Sequence, residues 1–89
     1  MNQAIVDPEQ LRHFAANLKV FAEELQQRSA SLTAQMNQLE HSWRDQQQRK
    51  FAAEFEDQMR QMQHLIEAAR GHVPYLLRKA EQIDQYLHG

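Results

Sequence analysis

No cysteine occurs among the 89 residues, so no disulfide can staple the chain and no thiol nucleophile is available. With two glycines and two prolines beside 14 glutamines, turn-forming material is too scarce for a multi-stranded sheet. No apolar run exceeds three residues, which excludes a membrane-spanning helix, and the first residues lack the basic-then-apolar order of a cleavable signal peptide. An excess of basic charge is missing too: ten Lys and Arg against twelve Asp and Glu give a formal charge of −2, contrary to the electropositive footprint that nucleic acids select. What remains is one small all-α domain spanning 1–89. A chain of that size hides only about 60% of its unfolded surface and needs very regular helix packing or a partner to persist.

Asp7-Pro8-Glu9-Gln10 is a helix start: Asp accepts from exposed backbone donors, Pro suits the first helical position, and Gln10 has capping-box spacing. From there leucine recurs every seventh residue, at Leu11, Leu18, Leu25, Leu32 and Leu39, with Phe14 and Phe21 three places on and Ala15, Ala22 and Met36 four places on. This predicts a first helix over about 8–40. The polar stretch His41 to Gln48 interrupts the stripe, with the turn at about 41–45, and both Ser42 to Asp45 and Asp45 to Gln48 have capping-box spacing. A second helix is predicted over about 46–88, with two seven-residue series: Phe55, Met62, Ala69, Leu76, Ile83, and Met59, Ile66, Val73, Ala80, Leu87. Both series pass through Gly71 and Pro74 in phase, so a kink or short break near 71–74 is expected there without loss of direction.

Each helix has an apolar stripe that it cannot bury alone, and a short turn folds the two back as an antiparallel hairpin. Pairing positions whose numbers sum to 87 sets Phe14 by Val73, Leu18 by Ala69, Phe21 by Ile66, Leu25 by Met62, Leu32 by Phe55 and Met36 by Phe51. Ile83 then falls near Ala4 to Val6, and Arg28 lies opposite Met59, its aliphatic stem along the seam and its head in water. The stripe is wider than one hairpin can cover. A dimer forming a four-helix bundle is therefore expected, with Ala15, Ala22, Ser29, Leu65 and Leu77 as its interface, the first three small enough for close approach.

The turn itself holds Trp43, then Asp45, then Phe51, with Phe55 one helical turn later. In length, helix placement and central tryptophan the chain resembles the WXG, or early-secreted-antigen-like, family of small bacterial helical hairpins with Trp-x-Gly at the turn. On that resemblance Trp43 takes the family's tryptophan, Arg44 its variable position and Phe51 its following aromatic, while Asp45 stands where the family usually has glycine. Asp tolerates a left-handed backbone and caps helices well, so the turn is expected to survive the exchange. The resemblance implies a protein exported or co-exported through a type VII secretion system as a folded helical dimer, a homodimer or a heterodimer with a related hairpin. It also implies a Tyr-x-x-x-Asp/Glu export element after the second helix. Here Tyr75 is followed four places later by Lys79, and Tyr86 by only three residues, so a partner would have to supply that element.

No catalytic, cofactor or metal site is read from the residues. None of the five histidines lies four residues from another, and no glutamate precedes one by three, so neither helical metal pattern is present. His41 with Asp45 and Asp84 with His88 are single pairs one turn apart. Trp43 suits either recognition at the hairpin tip or packing over Leu39 and Phe51. The residues point to a non-enzymatic helical interaction protein, and the resemblance implies that it is secreted or secretion-associated, without a cleavable signal peptide. The alternatives are a cytoplasmic adaptor or chaperone-like module and a structural, needle-like subunit.

Overall fold

The computed structural model describes residues 6–88, which form two helices, α1 (Pro8–Leu39) and α2 (Gln46–His88), folded back on each other as a hairpin. The molecule measures 64 × 25 × 14 Å, a flat plate as long as α2 itself and one helix thick.

Asp7 caps α1: its carboxylate accepts the Glu9 N–H at 3.0 Å, while Pro8 occupies the first turn, where its missing N–H costs nothing. At the other end the Trp43 N–H donates to the Leu39 carbonyl at 2.8 Å, closing the last turn, and the chain turns through residues 40–45. Of the two capping candidates the structure uses the second. The Asp45 carboxylate accepts the Gln48 N–H at 2.8 Å and its carbonyl accepts the Arg49 N–H at 3.2 Å, starting α2. Ser42 instead turns its hydroxyl back onto the Leu39 carbonyl.

α2 runs uninterrupted through 71–74, with Pro74 inside it, so the break considered there does not occur. Both Arg70, whose carbonyl loses its helical donor, and Pro74 are exposed, which lets water satisfy that carbonyl.

Between the helices, both seven-residue series of α2 are buried or half-buried from Gln48 to Ile83; Leu87 lies beyond the seam and is exposed. Ala22, Ile66 and Ala69 form the core, with Leu18, Leu25 and Met62 packed around them. That cluster mixes Leu18, Ala69, Leu25 and Met62 without singling out the pairs of the expected register, and Arg12 reaches Asp84 about two turns beyond that register. Ile66 is the largest fully buried side chain, and its burial contributes about 1.5–3 kcal/mol.

The other half of the α1 stripe behaves differently. Phe14 and Phe21, expected opposite Val73 and Ile66, are 58% and 50% exposed. The seam is instead made by Leu11, Leu18 and Leu25 and by Ala15, Ala22, Ser29 and Met36. Small side chains let the helix axes come close, and two phenylalanines in that row would hold them apart. The proposed contact of Ile83 with Ala4 to Val6 involves residues 4 and 5, which lie outside the described residues.

Candidate interaction surface

A flat hairpin has two broad faces, and helical spacing assigns residues to each. Arg12 reaches across from α1 to Asp84 of α2, and Lys19 and Glu23 line a shallow groove with Arg70, Val73 and Pro74. A second groove on the same side, near the turn, joins Thr33 and Glu40 to Ala52, Glu56 and Met59. This face is polar. Arg12 also binds Glu9 at 2.9 Å, and hydrogen bonding to Asp84 raises its pKa against the opposing desolvation, so the guanidinium is charged at any ordinary pH. The link pins the start of α1 to the end of α2. Asp84, one turn before His88, pairs across the hairpin with Arg12 instead.

The opposite face is apolar. Phe14 and Phe21 stand beside the leucine row of α1, whose Leu32 and Leu39 become exposed toward the turn. On α2 the row facing the same way holds Phe51 and Leu65, both exposed. Large apolar side chains grouped on one face of a small protein mark a binding surface.

The five residues expected at a partner interface do not stay together. Ala15 and Ala22 are fully buried between α1 and α2, and Ser29 is half-buried in the same row, so this small-residue stripe brings the chain's own second helix close, not a partner. Leu65 lies on the apolar face and Leu77 on the polar one, both exposed. Phe14 and Phe21, expected in the seam, are instead exposed on the apolar face. In the sequence, rows of alanine and of phenylalanine flank one leucine row, and only the closeness of the helix axes selects the small one for the seam.

At the turn, the Trp43 ring is half-buried and meets Phe51 with centroids 5.8 Å apart and planes tilted by 35°. Phe51 stacks in turn near Phe55 at 6.1 Å. Asp45, next to this cluster, acts purely as a helix cap: no described non-glycine residue has a positive φ, so the left-handed geometry that would favour glycine is not used. Gln48 is buried at the seam's turn end, a core position that the polar stretch does not suggest but that lies seven residues before Phe55 in the same series.

With this geometry established, the comparisons with known proteins are specific. Residues 3–86 match WXG100, the family of proteins of 100 residues with WXG. The chain belongs to the WXG100 family. Among solved structures, a variant of the secreted protein EsxB from Bacillus anthracis str. Sterne is 33% identical, with a TM-score of 0.78 over 96% of this chain and 98% of that one. Wild-type EsxB is 32% identical, with a TM-score of 0.77 over 93% and 95%. A second variant is 30% identical, with a TM-score of 0.79 over 97% and 96%. A search of curated proteins returned no match. The chain is therefore a WXG100 helical hairpin similar over its length to secreted proteins, and none of its described helices is long and apolar enough to cross a membrane.

Proposed function

We propose that this WXG100 protein is a secreted or secretion-associated interaction protein, exported without a cleavable signal peptide through a type VII secretion system. It works by laying its apolar face on a second helical hairpin to form a four-helix bundle. The observation that carries this reading is the end-to-end likeness to secreted EsxB, joined to an open row of large apolar side chains. A second hairpin of the same kind presents a matching flat face and supplies the missing sides of the bundle. Lys79, standing where a carboxylate would complete the export element after Tyr75, favours co-export with a partner that carries the element.

The test is fractionation of native, secretion-competent cells, with the culture medium assayed beside a cytoplasmic lysis marker. The chain is expected in the medium, and its amount there falls when the secretion ATPase is inactivated. Protein found exclusively inside the cells contradicts export and leaves the adaptor reading in its place. Replacing Trp43 by Ala separates its two uses. Lost export or binding with a nearly unchanged melting temperature marks recognition, and a large drop in melting temperature marks packing.

A further inference from the structure

The row along the open face of α1 reads Phe14, Phe21, Arg28, Gln35, one residue every seven. Arg28 follows the two phenylalanines at mid-length, is exposed, and has no ion-pair partner among the described residues. The corresponding row on α2 contains His72 and Lys79 after Leu65, and no carboxylate. The leucine row of α1 and the Phe55 row of α2, between these two, contain none either. The Lys and Arg side chains on the inner part of this face, Arg28 and Lys79, thus face no carboxylate there. The nearest acids, Glu24 and Glu54, stand one row further out at the rim, where pairing is solvated and weak.

The plate is 64 by 25 Å, so a partner covering this face buries more than the roughly 800 Å² per side of a standard interface. Under such a cover Arg28 loses water. Set against a second copy, it meets no inner-row carboxylate at any register, because the face has none to offer, and an uncompensated charge under an apolar cover is strongly unfavourable. A carboxylate on the partner reverses the sign, and a single polar residue in an apolar row then fixes both register and partner.

We propose that Arg28 is the partner-specifying residue of the open face: its occupant is a different helical hairpin that presents an Asp or Glu opposite Arg28, and a second copy of this chain is disfavoured. This rests on the interaction-protein reading above and names its partner's chemistry. The test is sedimentation equilibrium of the full chain, with helicity checked by circular dichroism. Arg28→Leu is expected to self-associate at least about tenfold more tightly than wild type. Arg28→Lys, which keeps the charge, is expected to stay with wild type. Wild type is then mixed with Arg28→Glu, Gln35→Glu or Gln58→Glu, each a hairpin given a carboxylate in an inner row at a different height. At least one is expected to bind wild type about tenfold more tightly than wild type binds itself. Tight wild-type dimers left unchanged by Arg28→Leu overturn the proposal, and so does the failure of all three acidic hairpins. Export is read in the culture medium and not in this experiment, so either result can fail while the other stands.

Discussion

Two rows flank the leucines of α1, and they have opposite fates. The alanine row, Ala15 and Ala22, is sealed against α2, while the phenylalanine row, Phe14 and Phe21, faces outward. On composition alone the larger side chains should be inside, since each buries more apolar area. The comparison shows that in a two-helix hairpin the closeness of the axes decides the matter. With no third layer to enclose a thick core, small residues and leucines make the tightest seam, and the bulky row is left for whatever covers the plate.

The largest expected effect tests the sealed side. Ile66→Ala removes the largest fully buried side chain and is expected to cost about 2–5 kcal/mol, seen as a lower thermal midpoint by circular dichroism. Ala22→Phe and Phe21→Ala sharpen the contrast directly, because they are neighbours in sequence and opposites in burial. The first is expected to destabilise by about 1–3 kcal/mol through overpacking. The second is expected to leave the isolated chain within about 0.5 kcal/mol of wild type while weakening partner binding. Equal effects of the two on the isolated chain would erase the distinction between the rows.

The turn contributes less. Asp45→Ala removes the cap on Gln48 and is expected to cost about 1 kcal/mol, whereas Asp45→Gly, which restores the family's usual residue, costs only a few tenths. Chemical denaturation of the two variants separates capping from backbone conformation, since a turn that needed a left-handed residue would be stabilised by the glycine. The smallest effect has the opposite sign. Gly71 lies inside α2 with nothing within 4 Å of where a Cβ would sit, so Gly71→Ala is expected to stabilise the chain by about 0.5–1 kcal/mol.

Much of this architecture was legible beforehand, and the reasons are physical. Period-seven leucines, the Asp7-Pro8 start and the two interleaved series of α2 each obey one strong local rule, and those rules agree with one another. The seam of α2 follows its two series residue by residue from Phe55 to Ile83. What could not be read was the choice between two equally periodic rows on α1, because both have the spacing of a buried face and only the interhelical distance separates them. The Arg12–Asp84 link was hidden for a similar reason: two charges 72 positions apart become neighbours only once the face of each helix is fixed. At Pro74 the local rule against proline in a helix interior lost to the continuous seam on either side, which holds the helix in phase. The site was less legible than the fold, since three of its five expected residues belonged to the small-residue row that the hairpin uses for itself.

The absence of native cysteine makes one measurement especially direct. Single Cys substitutions at Phe21 and Ala22 place a thiol on each row in turn, and alkylation rates of the folded, dilute chain report which row is open. The thiol at 21 is expected to react at nearly the rate of an unfolded peptide and to become protected when a partner hairpin is added, while the thiol at 22 stays protected throughout. Rapid labelling at 22 with protection at 21 in the isolated chain would contradict the assignment of the alanine row to the seam and the phenylalanine row to the partner.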